Sequence, residues 1–377
     1  MKAKTINGSS TEAIKSSLDN SMVDGYKPTL AIVFLSVKQD RTAICQLLDG
    51  AGIAIYGITT NGEFTGDGIT SGESAILLLD VNHSYFHIIC TEYAGTDYRL
   101  TTQEIAKKAK EIFNNPSFLI GVSNLNADAE ALLHGFEDIL GKDVNVSGAM
   151  AGDDFQFIAS YVFTNHISTS NGIVTLVFDE DHISIKGRAT FGWKALGTVR
   201  TVTKSEGNHV YTIDDIPALD LTIKYGGLEN VTPENFALEH SIALTFQIQR
   251  ETGDPVMRAG LLVDWNDHSI YCAGPLPQGS KIRFSLPPEF DVIEKVISGC
   301  EDLKATEIPD ADAIILFNCA GRLLSLGPLI SDEIEGIQNV WKVPIAGMFS
   351  NAELARATNG NLEMHGFTAC TVVLKEK

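Results

Sequence analysis

The sequence predicts an α/β protein of two domains, with mixed sheets flanked by helices and related strand–helix–strand–glycine-turn units. Three observations predict it. Thr29 to Ser36 (TLAIVFLS), Pro116 to Val122 and Ala311 to Phe317 are nearly continuous apolar runs of strand length, suited to strands covered on both faces. Thr101 to Phe113 (TTQEIAKKAKEIF) has the period of an amphipathic helix, and Thr101 and Glu104 match the capping-box spacing that opens one. Lastly, an apolar segment runs into a polar, glycine-bearing turn three times.

The first turn lies in Tyr56 to Gly66 (YGITTNGEFTG), after Ile53 to Ile55. The third, Gly347 to Leu354 (GMFSNAEL), follows Val343 to Ile345, and a looser copy, Gly148 to Phe155 (GAMAGDDF), follows Val144 to Val146. The first and third read Gly, two residues, Thr or Ser, Asn, a small residue, Glu. In all three an acid stands at the same offset from the first glycine: Glu63, Asp154 and Glu353. Glycine permits positive φ and close backbone approach to a ligand. The carboxyl ends of strands are where α/β proteins commonly bind small molecules.

The remaining elements follow in order. Thr11 to Asp24 and Asp40 to Gly50 read as helices, with Gly52 to Ile58, Ser74 to Asp80 and Ser84 to Thr91 as strands. Asn126 to Leu140 is a helix stopped by Gly141. Strand-rich sequence from Ala159 to Phe191 leads to Gly192-Trp193 and a closing helix, Pro217 to Tyr225, ending at Gly226-Gly227. The domain boundary is placed there, giving domains 28–227 and 228–377. In the second, His240 to Gln249, Met257 to Asp264, Ser269 to Ala273 and Lys281 to Ser285 read as antiparallel strands. Phe290 to Asp302 and Asp332 to Val340 read as helices, and Gly366 to Leu374 as the last strand.

Composition narrows the function. A chain of 377 residues exceeds what one core usually serves. Its net charge of −20 argues against nucleic acid and anionic membranes as partners, since both require basic patches. No apolar stretch approaches a membrane span and no secretory signal is visible. The six cysteines are far apart, without CxxC, and read as buried thiols in a reducing compartment, so a cytoplasmic setting is expected.

Taken in order, Gly57-x-x-Thr60-Asn61-Gly62-Glu63, Gly148-Ala-Met-Ala-Gly152-Asp153-Asp154, Gly192-Trp193-x-x-x-Gly197, Pro217-Ala218-Leu219, Cys319-Ala-Gly-Arg322 and Gly347-x-x-Ser350-Asn351-x-Glu353 resemble the FIST family, whose members carry paired N- and C-terminal FIST domains. The ordered set carries the likeness, which covers most of the chain. Ala352 stands where many members have Gly, and Gly366 follows His365 where Asn is common. The resemblance implies a sensory module that binds a small ligand, an amino acid or related metabolite, and signals to a histidine kinase or cyclic-dinucleotide enzyme. It implies a sensor rather than a catalyst. A subset of the family also implies haem and nitric-oxide sensing.

The binding reading gathers the three turns around one pocket. Glu63 and Glu353 take a cationic group, helped by Thr60, Asn61, Gly62, Ser350 and Asn351, with Gly152, Asp153 and Asp154 from the middle turn. Arg322 clamps a carboxylate in bidentate fashion, and Trp193 walls the pocket. In the competing reading the acids cap helices that follow each turn, and Arg322 is the structural partner of a nearby acid. Haem would need an axial ligand in an apolar cleft, for which His240 and His365 are the candidates. An enzyme would use Cys319 as a thiolate with His365 as its base.

Overall fold

The computed structural model describes residues 1–226, 231–237, 240, 244–285, 289 and 291–377. The expected boundary at 227/228 lies outside the described residues. So do Phe290 and residues 241–243 of the strand expected from His240.

The α/β class is observed, with mixed sheets flanked by helices. Its organisation follows from the recurring turn: the chain holds three copies of one unit. The first runs strand Lys2–Gly8, helix Thr11–Ser21, strand Leu30–Leu35, helix Arg41–Gly50, strand Ala54–Thr59, a short hairpin and strand Ser74–Asp80. The second runs strand Phe86–Glu92, helix Tyr98–Ile112, strand Pro116–Val122, helix Ala129–Leu140, strand Val146–Met150, a short hairpin and strand Gly172–Asp179. The third begins with strand Ile183–Thr190. After a long insertion it resumes with helix Asp291–Thr306, strand Ala313–Cys319, helices Ala320–Leu326 and Ile330–Trp341, strand Ile345–Ser350, a hairpin and strand Ala369–Glu376.

Within each unit the two strands flanking the middle helix pair in parallel, and the last strand pairs antiparallel beside the first of them. The short hairpin leaves its own unit. Glu63–Thr65 adds to Ile345–Ser350 of the third unit. Ala352–Arg356 adds to Val146–Met150 of the second. Val162–Phe163 adds to Ala54–Thr59 of the first. Three six-stranded sheets result, each completed by a hairpin from another unit, so strand pairing crosses the expected boundary repeatedly.

The inner faces of the sheets share one core, including Phe34, Leu77, Leu119, Leu176, Phe317 and Val372. Each outer face is covered by its own unit's helices in a separate apolar cluster. Being covered on both faces is why these strands are apolar without alternation. The insertion, from Ala195–Glu206 to Lys281–Ser285, closes into a small barrel: Ala195–Glu206 pairs both with Lys281–Ser285 and with His209–Ile213. It has its own core around Phe246 and Phe284.

Candidate functional site

Each recurring turn ends the second parallel strand of its unit and starts the departing hairpin, so the turns sit where the sheets exchange strands. They meet. Asn61 N–H donates to the Phe349 carbonyl at 2.9 Å, Gly152 N–H to Thr59 at 2.8 Å and Asn351 N–H to Met150 at 3.1 Å. These are the same bond made three times, each turn donating to the one that supplies its neighbour. Side chains reinforce it. Asn61 donates to Asn351 Oδ1 at 2.8 Å, and Asn351 donates to the Ala151 carbonyl at 2.6 Å. Asn61 Oδ1 in turn accepts the N–H groups of Asp153 and Phe155. The middle turn has glycine at the matching position for a steric reason. A Cβ on Gly152 would lie 2.5 Å from the Asn61 side chain.

The three acids fare differently. Glu63 is fully buried. Its Oε2 accepts from Thr60 at 2.8 Å, and its Oε1 from the Glu73 N–H at 2.7 Å and Thr70 at 3.2 Å. Glu353 is also fully buried. Its Oε1 accepts from Ser350 at 2.6 Å, and its Oε2 from the Thr368 hydroxyl at 2.6 Å and N–H at 3.4 Å. Burial pushes the Glu63 carboxyl up to about 7 and that of Glu353 to about 8, against the pull of these donors. Asp154 has Ala151 where the others have a hydroxyl. One of its oxygens accepts from Ser36 at 2.7 Å and lies 3.6 Å from Lys38 Nζ; the other is buried with no hydrogen-bond partner among the described residues. Asp154 adopts φ 56°, in the left-handed region. Its neighbour Asp153 is buried and accepts the N–H groups of Phe157, Ile158 and Ala159, fixing a loop that holds Ile158 in solvent.

No helix follows any of the three turns among the described residues, so the acids do not cap helices. Arg322 sits in a short helix behind the third turn, fully buried. Its guanidinium forms a bidentate pair with Glu333, also buried, and donates to the carbonyls of Phe191 and Phe367. That carboxylate already fills the clamp. Trp193 donates to the same Phe367 carbonyl at 2.9 Å and packs edge-on against the Phe367 ring. Together they anchor the start of the inserted barrel. An open depression of about 380 Å³ beside Trp193 is lined by Phe191, Gly192, Asp291, Glu294 and Lys295, and none of the three turn acids lines it.

Cys319 is buried, and burial pushes its thiol up to about 12, opposite to what a nucleophile needs. His365 is buried, held neutral by burial to about 4, with Nε2 at 3.0 Å from the Ala355 carbonyl. His240 Nδ1 accepts the Ala237 N–H and its ring stacks on Phe236. Among the described residues no group of His, Cys, Asp and Glu could hold a metal ion.

A model of the FIST N domain matches residues 29–216, and one of the FIST C domain matches residues 218–356. The chain belongs to the FIST family. No curated protein matches it. FIST domains are generally small-ligand sensor domains of signalling proteins rather than catalytic ones. No helix among the described residues is long and apolar enough to cross a membrane.

Sequence reasoning did not find Ser36, Lys38 or Arg41 as site residues. Arg41 opens the helix after strand Leu30–Leu35 and stacks on Tyr161 at 4.0 Å, with no ion pair among the described residues. The only signal was their place at the carboxyl end of an apolar strand.

Proposed function

We propose that this FIST protein senses a small zwitterion of the amino-acid class at the apex where its three turns meet, with Asp154 accepting the ligand's amine. The observation that carries the reading is the Asp154 carboxylate oxygen that is buried and lacks a partner, while Glu63 and Glu353 have both oxygens engaged. A buried acceptor without a donor is costly, and an ammonium group relieves that cost. Lys38, exposed, and Arg41, stacked on Tyr161 and without an ion pair among the described residues, supply cations for the ligand's carboxylate at the same strand ends. Asn61 and Asn351 frame the apex, and Glu63 and Glu353 stand behind it.

Signalling follows from the strand exchange. A ligand that draws on Asp154 biases the turns that join all three sheets, and it shifts an equilibrium only through differential affinity. The proposed recipient is a histidine kinase or cyclic-dinucleotide enzyme in the cytoplasm, with a basic surface facing this acidic chain. The test is calorimetry with a panel of amino acids on wild type, Asp154→Asn and Glu63→Gln. Asn tolerates the left-handed backbone, so the first variant removes charge and leaves the turn. A ligand whose affinity falls at least tenfold in Asp154→Asn and is unchanged in Glu63→Gln supports the reading. Equal affinity for wild type and Asp154→Asn, or no binder in the panel, sinks it.

A further inference from the structure

Three six-stranded sheets have six edge strands, and five of them are guarded. Lys2–Gly8 carries Lys2 and Lys4. Ser168–Thr169 and Gly68–Thr70 are two and three residues long. Leu362–His365 is covered by the barrel, with Arg258 donating to the Met364 carbonyl at 2.7 Å. Ile183–Thr190 carries Lys186 and Arg188, the latter paired with Asp302 of the helix beside it and with Glu307 just past that helix. These are the usual protections against edge-to-edge pairing: short length, charge or cover. The barrel strands close on one another and leave only the two-residue strand Ile216–Pro217 at an edge among the described residues.

The sixth edge, Phe86–Glu92 (FHIICTE), is the least guarded: it is neither short nor covered, and its single charge, Glu92, stands at its very end. It is seven residues long, with no Lys, Arg or Pro, and pairs with Gly172–Asp179 in unbroken register. Tyr93 N–H donates to the Asn171 carbonyl one step beyond that ladder, so the odd-numbered residues form the hydrogen-bonded pairs. The N–H and C=O groups of Phe86, Ile88, Cys90 and Glu92 therefore point away from the sheet. Among the described residues none of them makes another hydrogen bond to backbone or side chain.

We infer that strand Phe86–Glu92 pairs antiparallel with the same strand of a second copy of this chain, about a twofold axis through Ile89. The choice of a second copy rests on the strand being self-complementary. With Ile89 opposite itself, Ile88 faces Cys90, His87 faces Thr91 and Phe86 faces Glu92, so no like charges meet. The register also places the free groups of Ile88 against those of Cys90, the hydrogen-bonded pair an antiparallel ladder requires. A twofold contact is isologous, which is what such a register gives. The net charge of −20 opposes association at a distance, so the dimer tightens as salt screens it.

The test uses the full chain. Sedimentation equilibrium, from low-micromolar to near-millimolar protein and at two salt concentrations, should give a mass rising toward twice 40.8 kDa, further at the higher salt. Cys90→Pro removes an outward N–H without touching the ladder to Gly172–Asp179 and should hold the mass at that of one chain. Should that variant fail to fold, amide exchange on the wild type decides: the Ile88 and Cys90 amides should slow as concentration rises. A single-chain mass throughout with fast exchange at both amides, or a dimer that Cys90→Pro leaves intact, overturns the inference.

Discussion

The third-unit turn at Glu353 and the second-unit turn at Asp154 occupy equivalent places and are built to opposite ends. At Glu353 both carboxylate oxygens are met. Ser350 and Thr368 hold the carboxyl, and behind it Asn318 donates to Glu333 at 2.9 Å, which pairs with Arg322, all buried. At Asp154 the hydroxyl three residues back is missing, the backbone is left-handed, and one oxygen is left over. The difference teaches that a repeated scaffold can seal two of its three joints and keep the last one incomplete. Incomplete satisfaction weakens a joint but leaves a group with something to bind.

The largest effect is expected at the buried ion pair of Arg322 and Glu333. Glu333→Gln leaves the Arg322 charge buried without a counter-ion, which should cost about 3–5 kcal/mol of stability, read from the denaturation midpoint. A loss below about 1 kcal/mol would mean the third turn is not sealed by this pair.

Next is pH. An unfolded Glu loses its proton near 4.5, whereas Glu63 and Glu353 keep theirs to about 7 and about 8 in the fold. Between those values the native state binds more protons than the unfolded one. The contribution of these groups is therefore full at low pH and falls as pH rises from 4.5 toward 8, by a few kcal/mol together. The double variant Glu63→Gln, Glu353→Gln should flatten that slope and gain relative stability above pH 7. A slope identical to wild type would show that neither carboxyl is protonated in the fold.

The smallest effect sharpens the contrast itself. Ser350→Ala should cost about 1–2 kcal/mol, because it strips a donor from a buried carboxyl. Asp154→Asn should cost less than about 0.5 kcal/mol, since its partners are one hydroxyl and an exposed lysine. Equal costs in urea unfolding would erase the distinction between a sealed joint and an open one.

Much of this was legible in the chain. The doubly covered strands announced themselves as apolar runs, the helix expected over residues 101–113 and observed over 98–112 by its period, and the three joints by a spacing of Gly, hydroxyl or Ala, Asn or Gly, and acid. The family followed from the order of those motifs. Residue identity determined these things because local conformation and burial leave their mark on neighbouring positions. Pairing between distant segments leaves no such mark. Nothing near Glu63 says that its strand joins residues 345–350, that Arg322 is taken by Glu333, or that Asp154, of the three turn acids, has one oxygen without a donor among the described residues. Those outcomes rest on contacts between residues up to 290 positions apart, as between Asn61 and Asn351, and only the folded chain brings them within bonding distance.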